Sequence, residues 1–207
     1  TQILTEGGIE CVTLANNHTL DYGAEGYKDT VSALNDSGVT WFDADHVAVW
    51  ESDDGLLIGF VGVAFRLSGS RLLQFQKSVK VLKTIGCSCI VTVMHAGEEY
   101  VQKPSSQQKQ NARLIAEAGS SLLVGHHPHI VQGYSEVSGM PVIYSLGNCI
   151  FGGNMHPKDT DALLLQTVVH FEDSAMTGMT LHFYPIAISG SGSGNDYSPV
   201  FLDEASA

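Results

Sequence analysis

The chain has 207 residues, 43% of them hydrophobic, which suffices for one sizeable buried core. Ten Lys and Arg stand against 22 Asp and Glu, a formal charge of −12 that argues against nucleic acid as a partner. No run of about eighteen uninterrupted apolar residues occurs, so no segment is built to span a bilayer as a helix.

Apolar strand-like runs alternate with amphipathic stretches, the pattern of an α/β fold. Cys11 to Ala15 reads as a strand, followed by a polar turn at Asn16, Asn17 and His18. Ala24 to Ser37 reads as a helix with Tyr27, Val31 and Leu34 on one face and Gly38 at its C-cap. Val39 to Phe42, Val47 to Trp50 and Leu56 to Val63 read as strands, the last two joined through the turn Ser52-Asp53-Asp54-Gly55. Leu72, Phe75, Val79 and Leu82 recur at helical spacing before Gly86, and Cys89 to Met94 is a continuous apolar run of the buried-strand kind, with His95 just past it. A helix from about Ser105 to Ala118, stopped by Gly119, precedes a strand from Ser121 to Val124 that runs into Gly125-His126-His127-Pro128-His129. Ile130 to Tyr134 and Pro141 to Ser145 flank a Ser138-Gly139 turn, and Leu163 to Phe171 with Met179 to Ile188 form a closing antiparallel pair. The Ser/Gly-rich stretch 189–195 reads as a flexible loop within a single domain spanning 1–207.

Cys11, Cys87, Cys89 and Cys149 are scattered and imply neither a zinc ribbon nor a disulfide framework. The chain opens at Thr1 without a signal-peptide pattern and reads as a fragment or mature form, from which a leader or anchor has been removed.

Chemistry gathers where strands end. Asn17 with His18, His95, and His127 with His129 each follow a strand, and ligands of open α/β sheets sit outside the carboxyl ends of strands. In the His127-Pro128-His129 turn, period-two geometry points two imidazoles to the same side. Neutral imidazoles suit Mn, Zn, Fe or Ni, with Mn, Zn or Fe the expected metals and His95 as a third ligand. Asn17 is a weak donor that a two-metal phosphoesterase site tolerates, and His18 beside it is placed to be a general acid. Glu99 is a candidate to orient a ligand imidazole from behind. His46, His156, His170 and His182 have no partners in sequence and are read as non-functional.

Leu14 to Gly23 (LANNHTLDYG), His95 to Tyr100 (HAGEEY), Gly125 to His129 (GHHPH) with Gln132, and Tyr144 to Asn148 (YSLGN) together resemble the CapA-type capsule-synthesis proteins of poly-γ-glutamate biosynthesis, relatives of the calcineurin-like metallophosphoesterases. The resemblance implies a two-sheet sandwich flanked by helices in four layers, with a dinuclear site at the strand ends. It makes Asn17, His95, His127 and His129 metal ligands and His18 the catalytic histidine, with Asp21, Glu99, His126 and Asn148 supporting ligands or substrate. The family's Gly-Asp at the end of its first strand has no counterpart before Cys11; Ala96 stands where Trp is frequent and Cys149 where Phe is usual.

The function expected from the resemblance is synthesis, export or trimming of capsular poly-γ-glutamate at the bacterial cell surface, the protein being anchored by an N-terminal segment and partnered by a membrane synthase. The chemistry left open is hydrolysis of a phosphoester, cleavage of a polymer amide, or holding of polymer carboxylates. A capsule-unrelated phosphodiesterase or nucleotidase and a non-catalytic scaffold are the rival readings. The charge of −12 leaves the surface little attraction for a polyanion, so contact is expected to run through bound metal.

Overall fold

The structure, a computed structural model, describes residues 1–152, 154–191 and 194–202. In chain order it runs α1 (Gln2–Glu6), β1 (Cys11–Thr13), α2 (Gly23–Asp36), β2 (Thr40–Phe42), β3 (Ala48–Glu51), β4 (Leu57–Ala64), α3 (Gly69–Ile85), β5 (Cys89–His95), α4 (Ser106–Ala118), β6 (Leu122–His126), β7 (Val131–Val137), β8 (Met140–Leu146), β9 (Asp161–Glu172), β10 (Ala175–Ala187) and β11 (Val200–Phe201). The fold is of the expected α/β sandwich class. A six-stranded sheet in the order β3-β4-β5-β6-β8-β7 is accompanied by a parallel β1-β2 pair and an antiparallel β11-β10-β9 sheet.

Strands β4, β5, β6 and β8 are mutually parallel, and β3 and β7 close the two edges antiparallel. Side chains alternate across this sheet. Val61 and Val63 of β4, Ile90 and Met94 of β5, Leu123 of β6 and Val142 of β8 enter one core, where Phe75, Val79 and Leu82 of α3 and Ala112 and Ile115 of α4 cover them. Helix α3 buries one residue every three or four and stops at Gly86, whose φ of 104° is the left-handed C-cap. Helix α4 opens on a capping box, the Ser105 hydroxyl accepting from the Gln108 amide while the Gln108 side chain accepts from the Ser105 N–H.

One residue out of phase with Met94, the His95 side chain leaves β5 on the face opposite this core. His95 is the last residue of β5 and only 6% exposed, rather than lying beyond the strand, because the parallel ladder to β4 and β6 continues to its pairs with Ala64 and His126. The closing hairpin is longer than its apolar runs suggest. Asp173 and Ser174, with φ of 49° and 63°, make a two-residue turn, so β10 begins at Ala175. Neither α1 nor β11 carries a periodic pattern that announces it. In the 189–195 stretch, Gly192 and Ser193 lie outside the described residues, whereas Asn195 is 3% exposed and its amide donates to the Phe151 and Asn154 carbonyls.

A buried amide fastens the connection that follows β4. Asn111 of α4 is fully buried, donates to the Phe65 carbonyl at 2.6 Å and accepts from the Leu67 N–H at 3.0 Å. Asn111→Ala is expected to cost about 3 kcal/mol in urea unfolding, since it leaves two backbone groups without their partner. A loss under about 1 kcal/mol would mean that the connection finds other partners.

Candidate metal centre

The C-terminal ends of β4, β5 and β6 lie side by side and deliver Phe65, His95 and the turn 126–129 to one rim. Register does the first part of the work. His95 and His126 are directly paired in the parallel ladder, their ring centroids are 4.5 Å apart, and their Nδ1 atoms approach to 3.0 Å. His127 tilts over His95 with centroids 4.4 Å apart. Asn17, from the loop after β1, places Oδ1 2.8 Å from His95 Nε2.

His127 and His129 come together by a different device from the one the sequence suggests. Their backbones are left-handed, with φ of 103° and 61°, rather than extended, and their ring centroids are 6.0 Å apart. Phe65 and Tyr100, at φ of 63° and 61°, share this strained conformation, so four of the eight non-glycine residues with positive φ among those described surround one site. Such strain persists where surrounding structure holds it and concentrates at functional sites.

Glu99 stands closer to the ligand candidates than its sequence position suggests. One ligand atom each from Glu99, His127 and His129 lie within 4.8 Å of one another. The loop bearing Glu99 is turned onto the histidine turn by Gly97, at φ 126°, and held by the Tyr100 N–H donating to the Pro128 carbonyl at 2.8 Å. A Cβ on Gly97 would fall 2.9 Å from both the Gln108 side chain and the Pro128 ring. Gln108 and Gln132, both buried, complete the clamp: Gln108 Nε2 donates to Gln132 Oε1 at 2.7 Å, and Gln132 Nε2 donates to the Val101 carbonyl at 2.6 Å. Gln108 escaped the sequence reading, although the Ser105-to-Gln108 capping-box spacing marks it.

The remaining candidates fall around this cluster. His129 Nδ1 donates to Asn148 Oδ1 at 2.9 Å and the Asn148 amide donates back to the His129 carbonyl at 3.2 Å, which fixes the ring and leaves Nε2 as a lone pair. Tyr100 and Phe151 flank the same ring, with centroids 5.9 and 5.1 Å away. His18 lies on the exposed side, its Nδ1 2.7 Å from Asp21 Oδ2. No ordinary packing role fits the innermost nitrogens. His95 Nε2 lies 2.8 Å from Asn17 Oδ1 and its Nδ1 lies 3.0 Å from His126 Nδ1, so a cation held at His95 Nε2 would take the place of the Asn17 hydrogen bond. His126 Nε2 and His127 Nδ1 are buried and, among the described residues, have no hydrogen-bond partner.

Burial, reinforced by the neighbouring His126, His127, His129 and His18, holds the His95 imidazole down to about 3, and burial with His127 and His129 holds His126 to about 4. His127 is lowered by burial first and then by His129 and His18, against the pull of Glu99. These rings are therefore neutral near pH 7 and keep their lone pairs. Cation–donor bonds of about 2.0–2.2 Å put adjacent donors about 3 Å apart, close to the 2.8 Å between Asn17 Oδ1 and His95 Nε2. Unpaired buried nitrogens, depressed basicity and a nearby carboxylate together fit a divalent cation. The same shifts predict acid lability in chelator-treated protein. Both folded-state values lie below the unfolded value near 6.5, so the stabilisation is complete above about pH 6.5 and is lost as pH falls through about 4 and about 3. Urea midpoints are expected to fall between about pH 7.5 and pH 4.5; a midpoint that rises on acidification contradicts the assignment.

Comparison with known proteins identifies the family. Residues 1–153 match the family described as bacterial capsule synthesis protein PGA_cap. The chain is 30% identical over 192 residues to the capsule biosynthesis protein CapA of Bacillus anthracis, an alignment covering 82% of this chain and 46% of that protein. It is 28% identical over 170 residues to the PGA biosynthesis protein CapA of Bacillus subtilis (strain 168), covering 72% and 44% respectively. The chain thus spans a little under half the length of these relatives. With the family match covering most of its length, the chain belongs to the bacterial capsule synthesis protein family PGA_cap.

Proposed function

We propose that this chain is the metal-dependent part of a bacterial cell-surface protein that acts on the capsular polymer poly-γ-glutamate, beside a membrane synthase, with Mn, Zn or Fe as its metal. The observation that carries this reading is the convergence of Glu99, His127 and His129 within 4.8 Å beside the Asn17–His95 pair, with two buried imidazole nitrogens left without partners. Asn17, His95, Glu99, His127 and His129 would hold one or two ions. A divalent cation bound there supplies Lewis acidity and lowers the pKa of a water molecule toward neutrality.

The protein's own groups do the rest. Asn148 fixes the tautomer of His129, and the buried Gln108–Gln132 pair keeps the Glu99 loop against the histidine turn. Asp21 accepts from His18 Nδ1, so Nε2 of this exposed imidazole is the atom that exchanges a proton with a leaving group at the cleft. The reaction we favour is hydrolysis of a polymer amide. Metal-loaded protein is expected to shorten poly-γ-glutamate, and His18→Ala to slow this by roughly a hundredfold or more while metal is retained. Turnover of a generic aryl phosphodiester with the polymer left intact would favour a phosphodiesterase instead. Metal binding without turnover of either would favour a polymer-holding role.

A further inference from the structure

The formal charge of −12 is unevenly laid out along the chain. No Asp or Glu occurs between Asp54 and Glu98, and this interval holds five of the ten Lys and Arg residues: Arg66, Arg71, Lys77, Lys80 and Lys83. The fold keeps them together, because the interval comprises β4, α3 and β5, which are contiguous in space. All five side chains are exposed. Among the described residues the ion pairs are His18–Asp21 and Lys28–Glu25, so the charges of this patch are not neutralised by pairing.

Two of these cations line a concavity. Arg71 and Lys77 border a cavity of about 540 Å³ between the start of α3 and the end of β4, which Phe65 and Asp45 also line. A second cavity, of about 620 Å³, shares Ala44, Asp45, Ala64 and Phe65 with the first and is lined further by Asn17 and by Asp43, whose carboxylate is taken up in accepting from the Tyr27 hydroxyl and from the Asp45 and His46 N–H groups. The two adjoin through these shared residues, a path that leads from Arg71 and Lys77 toward Asn17, whose Oδ1 contacts His95 Nε2. A positive stretch with low-dielectric walls concentrates anions even on a protein of opposite net charge.

We propose that this path is the docking groove for a polycarboxylate chain, with Arg71 and Lys77 holding carboxylates of the segment flanking the one presented to Asn17 and His95. The proposal rests on the reading of the site as polymer-directed. It replaces the expectation that a polyanion meets this protein through metal alone. A concave path favours an extended chain over a membrane surface, which would need the cations on a convex face.

The test is fluorescence anisotropy of the protein with end-labelled poly-γ-glutamate of defined length, in chelator and with Mn²⁺, alongside metal content. Arg71→Ala with Lys77→Ala is expected to weaken binding by at least about tenfold in both conditions and to leave metal content unchanged. Lys109→Ala with Arg113→Ala removes the same charge from exposed positions on α4 and is expected to change affinity less than about twofold. Equal weakening by both pairs, or none from the first, overturns the groove whether or not metal binds. Groove-dependent polymer binding by a protein that takes up no metal supports the groove and removes the metal reading. Absence of polymer binding together with Arg71- and Lys77-dependent capture of phosphatidylglycerol vesicles overturns the proposal in favour of a membrane-facing patch.

Discussion

The double substitution His127→Ala with His129→Ala is expected to abolish metal binding while leaving the chain folded. These two rings supply two of the three groups that meet within 4.8 Å, and their loss leaves only the exposed Glu99 and the Asn17–His95 pair facing the cleft. Loss of a single outer-shell partner of a metal typically costs roughly ten- to a hundredfold in affinity. Removing two direct ligands is expected to exceed that, so that protein purified with metal gives a stripped variant in elemental analysis. Folding should survive, because both residues sit on a turn outside the α3–α4 core and the His127 ring holds no hydrogen bond at Nδ1 to lose. The variant should retain its circular-dichroism spectrum, since the left-handed backbones at 127 and 129 are held by the surrounding turn and are no easier for Ala than for His. Unchanged metal content in a folded double variant would place the metal elsewhere.

The largest effect on stability is expected from Gly125→Ala. Strands β6 and β8 pair at Leu123 with Val142 and at Val124 with Ile143, and one residue later the Gly125 backbone lies against β8. A Cβ built on Gly125 meets the Tyr144 carbonyl oxygen at 2.1 Å and its carbon at 2.6 Å. Both are backbone atoms of a buried strand, so no side-chain rotation relieves the overlap and the two strands must separate where β6 hands over to His126. We expect a loss of at least about 3 kcal/mol, seen as a fall in Tm of about 10 °C for a domain of this size. The displacement should also move His126 and His127, so metal affinity falls with stability. A variant as stable as the parent would show that β6 and β8 have room to part here.

The periodic part of this fold was open to reading from the residues. Phe75, Val79 and Leu82 marked α3, the apolar run before His95 marked β5, and the Asp-Gly turn marked the β3–β4 hairpin; α3 ends at Ile85 just before the expected stop at Gly86, and β5 and the hairpin strands fall within a residue of their expected bounds. Their signals are local hydrophobic spacing, which the chain carries residue by residue. The site was half legible. That histidines follow strands is visible in sequence, and parallel strands must bring such ends together. Invisible was how the turns fold back. The positive φ at His127, His129 and Tyr100 belongs to residues that disfavour it, so no propensity announces that Glu99 joins the histidines. The pairing of His95 with His126 depended on the β5–β6 register, which leaves no mark in the sequence. The patch on α3 was hidden by arithmetic, since a net charge averages an acid-free segment into an acidic whole.

The central claim, that the strand-end imidazoles hold a divalent cation, is tested most directly by electron spin echo envelope modulation of protein stripped with chelator and reloaded with Mn²⁺ at one equivalent. Imidazole nitrogen couplings, lost in the His127→Ala with His129→Ala variant, are the result expected. A spectrum with water protons alone, identical in parent and variant, would contradict it.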